Sequence, residues 1–317
     1  MSTFTDDEIK KAQAEVEKII DSGAPIVKMN IFDVLDSYTP SLRIKNIIDY
    51  TLELYLELVS KLKEYSEEEQ VTFLNALKEA DIIDNQSIEK EDSFLISLHR
   101  KFEHKVSIDY LLEKMTSGEP ISKEEFIKIH DVLLVGTSSE DKLGLRDNDL
   151  KFVGSYQVTP QTKFFFENRA ISYFPLKHTE IDAALDKFLN FYNSGIKPNH
   201  KYDMFLLPMV CHGLIASLQL FKDGNTRYGR LFQNVLLYEM VNKEANLDLK
   251  LPIVYASRQY AAYRDDYRKK VENIVLNNNH EAWESWFSFN LNRIQDGILY
   301  NLRCLETIKD LNGNRSF

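Results

Sequence analysis

Asp223, Gly224, Asn225, Thr226, Arg227 and Arg230 lie within one short segment and together could hold a phosphate ester. Gly224-Asn225 is a turn dipeptide directly before a stretch with helical period, Arg227 to Asn242. A helix N-terminus presents unpaired N–H groups and the positive end of the helix dipole, so phosphates bind well there. Arg227 and Arg230 stand one helical turn apart, where both guanidinium groups could grip phosphate oxygens. Asp223 could carry Mg²⁺ shared with those oxygens, because hard cations prefer oxygen ligands. The same spacing also suits a helix-turn-helix corner whose arginines make surface ion pairs, and spacing alone leaves both readings open.

The elements that must position these residues are mostly helical. Asp6 to Ser22 places Ile9, Ala12, Val16 and Ile19 at three- and four-residue steps, the mark of a helix with one apolar stripe. Further helices are expected over Leu42 to Tyr65, Glu67 to Glu79 after Ser66 as a cap, Ile108 to Ser117, and Lys123 to Val135, with Pro120 and Ser122 punctuating between the last two. Helical period returns at Glu180 to Tyr192, Met204 to Leu220, Arg227 to Asn242, Arg258 to Leu276 and His280 to Leu311. Between Lys151 and Tyr173 aromatic and β-branched residues predominate, which predicts two or three short strands forming a hairpin. The expected fold is all-α with a small β-hairpin insert, a helical N-terminal part packing on a helical core.

Composition narrows the function. The chain has 317 residues, 44% hydrophobic and 28% charged, the balance of a globular protein. A net charge of -10 argues against a general nucleic-acid binder, since no cationic excess exists to displace counterions. No run approaches the roughly 18 apolar residues of a membrane span. The polar start, Met1 to Lys11, carries no apolar leader-like stretch, and two cysteines fit reduced thiols. A cytoplasmic protein with no membrane partner is the expectation.

Gln219 to Arg230, reading QLFKDGNTRYGR, resembles the Fic family signature H-x-F-x-(D/E)-G-N-G-R-x-x-R. The likeness extends well beyond that segment. His212 precedes Gln219 by the interval at which Fic domains carry a structural histidine. Arg230 to Leu237 resembles the family's G-R-L-L-x-N-x-L-L, and Leu251 to Ser257 its L-P-x-x-x-x-S. Tyr260 to Tyr267 resembles its following tyrosine segment, and Trp283 to Phe289 its W-x-x-F-F tail. Upstream, Ser122 to Leu134 resembles the helix reading L-x-x-L-H, with His130 in place.

The resemblance implies a Fic-type helical core at 106–300, a helical N-terminal region at 1–105 and a helix end and tail at 301–317. It implies transfer of AMP from ATP, with Mg²⁺, to a Ser, Thr or Tyr hydroxyl of a target protein or of the chain itself. Asp223 would hold the metal, and Gly224, Asn225, Thr226, Arg227 and Arg230 the phosphates.

Two positions depart from the signature. Gln219 stands where the family has its catalytic histidine. An amide can orient a hydroxyl but cannot accept its proton near neutral pH, and losing a general base costs roughly 10²- to 10⁴-fold in rate. Thr226 stands where the family has a second glycine. A left-handed backbone there would cost a β-branched residue about 1–2 kcal/mol. Otherwise its hydroxyl could supply a further hydrogen bond.

Many Fic proteins are inhibited by a helix reading (S/T)-x-x-x-E-(G/N), whose glutamate pairs with the second motif arginine. Asn85 to Lys90 is similar, with Glu89 as the inhibitory candidate facing Arg230. The plain alternative is a solvent-facing glutamate in a charged helix. The strand segment corresponds to the family's target-binding flap, with Thr162, Phe164 and Tyr173 as candidate contacts. Tyr260, Tyr263 and Tyr267 are candidates for stacking on adenine. Three functions compete: a weak or conditional protein adenylyltransferase, a nucleotide-binding pseudoenzyme acting as an interaction module, and transfer of a different phosphate-containing group.

Overall fold

A computed structural model describes residues 5–21, 26–89, 94–135, 142–149, 156–158, 164–166, 169–171, 173–194 and 202–313. The chain is all-α. Its first helices are α1 (Asp6–Asp21), α2 (Ile31–Asp36), α3 (Leu42–Leu62), α4 (Glu67–Glu89), α5 (Phe94–Thr116) and α6 (Lys123–Leu134). After three short strands come α7 (Ile181–Ser194), α8 (Asp203–Leu218), α9 (Asn225–Glu244), α10 (Ser257–Ala262), α11 (Arg264–Asn277) and α12 (His280–Gly313).

Helix α8 is apolar on every face, so it can only be a central helix, and all its residues are buried. Two glycines let neighbours approach its backbone. A Cβ on Gly229 of α9 would stand 2.8 Å from the His212 ring, and one on Gly213 would stand 3.0 Å from Trp283. Helices α7, α9, α11 and α12 pack around α8.

Local signals set the helix starts. Ser66 and Glu69 form a reciprocal cap on α4, with Ser66 N donating to Glu69 Oε2 at 2.9 Å and Glu69 N to Ser66 Oγ at 3.3 Å. Ser122 and Glu125 do the same for α6. Helix α3 runs beside α12, joined by Gln295 to Thr51 at 2.8 Å and Tyr65 to the Leu305 carbonyl at 2.6 Å.

The single helix expected over Arg258 to Leu276 is two, α10 and α11, because Tyr263 leaves helical geometry at φ -114°, ψ 37°. Helix α2, too short for a clear period, was not legible in the sequence. Helix α5 crosses position 105 and α12 crosses position 300 without a break. One hydrophobic core runs from Val27 to Leu305.

The strands are β1 (Tyr156–Val158), β2 (Phe164–Phe166) and β3 (Arg169–Ile171), antiparallel in the order β1-β2-β3. Tyr156 pairs with Phe166, and Phe164 with Ile171.

Candidate functional site

The segment joining α8 to α9 is held by its own side chains. Asn225 clamps it at two points: Oδ1 accepts from Phe221 N at 2.8 Å, and Nδ2 donates to the Phe221 carbonyl at 2.9 Å. Asp223 Oδ1 accepts from Gly224 N at 2.7 Å. Gly224 has φ +73°, and a Cβ there would meet Leu134 at 2.9 Å, so both backbone and space demand glycine. His130, from α6, stacks on Phe221 with ring centres 3.7 Å apart. Its Nε2 donates to the Asp223 carbonyl at 2.8 Å.

Helix α9 then begins at Asn225, capped by a glycine that offers no side chain. Thr226 lies in its first turn with helical backbone, so the left-handed strain considered for that position does not arise. Arg227 and Thr226 are half-buried at the rim. Asp223 is also half-buried, with Oδ2 3.7 Å from Lys142 Nζ. Among the described residues no group of three or more His, Cys, Asp or Glu could enclose a metal. One carboxylate suits a Mg²⁺ ion whose other ligands are phosphate oxygens and water, which is how that ion is usually held.

Arg230 is fully buried. Its Nε donates to Asn85 Oδ1 at 2.6 Å, so α4 covers the second arginine of the motif. Asn85 Nδ2 in turn reaches Ser257 Oγ at 2.7 Å and Asp81 Oδ2 at 3.0 Å. Burial pushes the Asp81 carboxyl up to about 7, against opposing contributions from Ser257 and the Arg230 charge. Glu89 is the last residue of α4, and its side chain lies outside the described residues.

Gln219 ends α8 in the left-handed region, φ 52°, ψ 55°. Its amide folds back to donate to the Ala216 carbonyl at 2.6 Å. It therefore caps its own helix. His212 is not placed to act as a general base. Burial lowers its pKa to about 3, and both ring nitrogens are engaged, Nδ1 with Gln233 at 2.7 Å and Nε2 with the Tyr267 hydroxyl at 2.8 Å.

That network continues from Gln233 to the Tyr260 hydroxyl at 2.8 Å and on to Asn290. Tyr260 and Tyr267 are thus buried core residues with no face turned to open space. Of the three tyrosines considered for adenine, Tyr263 is the exposed one, with the Arg293 guanidinium 3.8 Å from its ring centre. Of the candidate target contacts, Thr162 lies outside the described residues, Phe164 opens β2, and Tyr173 packs half-buried against the core.

Sequence reasoning missed Arg146. This buried residue donates Nε to the Gln219 carbonyl at 2.6 Å, and its backbone N–H donates to Leu220 at 3.0 Å. The available signal was the Arg-x-x-Asp spacing with Asp149, too common to single out. A cleft of about 620 Å³ between α2 and the start of α12 is lined by Asn30, Asp33, Ser37, Asn278 and His280 among others, and includes no motif residue.

Residues 120–237 match the model of the Fic/DOC family. The fold is similar to that of a Fic domain-containing signaling protein from Bacteroides thetaiotaomicron, with TM-score 0.56 and 12% identity over 81% of this chain and 97% of that one. It is also similar to a variant of Fic-1 from C. elegans, with TM-score 0.54 and 13% identity over 83% of this chain and 74% of that one.

Proposed function

Because residues 120–237 make this chain a member of the Fic/DOC family, we propose that it binds Mg²⁺-ATP at the α8–α9 corner for transfer of AMP to a protein hydroxyl. Helix α4 holds the site closed, and Gln219 limits its turnover. The observation that carries this reading is the contact between α4 and Arg230: Asn85 occupies the guanidinium nitrogen that a phosphate would otherwise engage.

In the reaction the target hydroxyl oxygen bonds to the α-phosphorus, the bond to the β-phosphate breaks, and pyrophosphate leaves. The hydroxyl proton must go to a base. Gln219 cannot take it, so the step depends on water and on positioning alone. The first turn of α9 and Arg227 would bind the phosphates, with Asp223 on the metal. Arg230 would join once α4 withdraws. Glu89 belongs to that same helix as the candidate inhibitory carboxylate. An extended segment of the target would pair beside β1–β3, near Thr162, Phe164 and Tyr173.

The capped amide of Gln219 also favours a second reading, a nucleotide-responsive module that binds a partner without modifying it. One assay separates the two. The parent, Glu89→Gly and Glu89→Gly/Gln219→His are incubated with α-labelled ATP and Mg²⁺. Label in Glu89→Gly supports the transferase. Label in the double variant alone supports the binding module, with a rate gain of about 10²- to 10⁴-fold for the restored base. ATP binding without label in any variant leaves binding alone, and neither label nor binding discards both.

A further inference from the structure

Gln219 is one of three non-glycine residues with left-handed backbone among the described residues. That conformation costs a residue bearing a Cβ about 1–2 kcal/mol, so neighbours must impose it. The loop at 142–149 does so. Leu145 pairs with Phe221 across an antiparallel bridge, and Lys222 N donates to the Gly144 carbonyl at 3.3 Å. The Arg146 Nε–H meets the Gln219 carbonyl at the C-terminal end of α8, where a cation is favoured by the helix dipole.

Arg146 also reaches away from the motif. One terminal nitrogen donates to Asp149 Oδ1 at 2.8 Å and the other to the Leu176 carbonyl at 2.5 Å. Asp149 Oδ2 lies 2.7 Å from His178 Nδ1, and Asp149 Oδ1 accepts from His178 N at 3.2 Å. Leu176 and His178 follow shortly after β3. A single planar fork thus ties the corner carrying residue 219 to the segment that leaves the strands, a geometry lysine cannot reproduce.

We propose that Arg146 is a positioning residue, which fixes the conformation at position 219 and sets where that side chain stands relative to a hydroxyl brought in along the strands. The proposal rests on reading position 219 as the place where the hydroxyl is received. Arg146→Lys keeps the charge and loses the fork.

The test runs in the Glu89→Gly/Gln219→His background. There Arg146→Lys is expected to lower kcat about 10²-fold, while the calorimetric Kd for Mg²⁺-ATP stays within about twofold. An unchanged kcat, or kcat and affinity falling together, would overturn the positioning role. A second readout needs no activity. In the parent chain, ¹³C labels at residue 219 report its backbone through the Cα and Cβ shifts. Arg146→Lys should move them out of the left-handed range, and unchanged left-handed shifts contradict the proposal. If the background yields no labelled product, the transferase reading fails, and the backbone shifts still decide the role of Arg146.

Discussion

Arg146 and Arg230 are both buried, and both belong to the same corner of the fold, yet their neighbours differ in kind. Arg146 is held by a carboxylate and two backbone carbonyls, groups fixed to the framework that carries the motif. Arg230 donates to an amide on α4, a helix from the N-terminal part, and shares its cluster with a carboxyl that burial pushes up to about 7. A charged, multidentate grip makes a permanent joint. A neutral hydrogen bond from a separate helix can be exchanged for a phosphate, which is the stronger acceptor. The same residue type is therefore a rivet in one place and, under the proposed function, a covered binding group in the other.

Truncation should separate the two most strongly. Arg146→Ala leaves the buried Asp149 carboxylate without its cation and should cost about 3–5 kcal/mol in urea denaturation. Arg230→Ala leaves an amide and a carboxyl that can stay protonated, so about 1–3 kcal/mol is expected. Equal costs would erase the distinction between rivet and binding group.

The Asp81 carboxyl gives the next largest effect, through pH. Its folded pKa is raised, so its contribution to stability is complete below about pH 4 and declines as pH rises through about 7. The slope is about 1 kcal/mol per pH unit across that window and flat above it. Asp81→Asn should remove this slope, so the variant gains on the parent between pH 4 and 7. A constant difference across the window would show that the carboxyl titrates normally beside Arg230, Asp84 and Ser257. His212 slopes the other way, its pKa being lowered, and cancels when variant and parent are compared.

Asn85→Ala gives the smallest shift. It removes the neutral contact to Arg230 and should cost about 1 kcal/mol of stability while tightening ATP binding. Weaker ATP binding would mean that Asn85 supports the site rather than covers it.

Much of this architecture was legible because apolar period is visible in single helices. Helical period over Met204 to Leu220 marked α8, Ser66 marked the start of α4, and Pro120 with Ser122 marked the break before α6. The expected end of α4 at Glu79 was too early for an instructive reason. Past that point the buried face carries Asp81 and Asn85, which interrupt an apolar stripe. They are buried because they face Arg230, and a sequence pattern cannot distinguish a buried polar partner from a solvated one. Spacing offered Tyr260, Tyr263 and Tyr267 as candidates of which one would stack on a base and the others pack. It could not show that the hydroxyls of Tyr260 and Tyr267 complete the His212 network. Arg146 was invisible because its acceptors are mostly backbone carbonyls, which leave no side-chain signature.

Calorimetric titration with Mg²⁺-ATP bears most directly on the proposal of a phosphate site covered by α4. Glu89→Gly should bind about tenfold more tightly than the parent, a gain of about 1.4 kcal/mol, and adding Arg230→Ala should abolish that gain. Affinity unchanged by Glu89→Gly, or a gain that survives the loss of the Arg230 side chain, would contradict a phosphate site closed by α4.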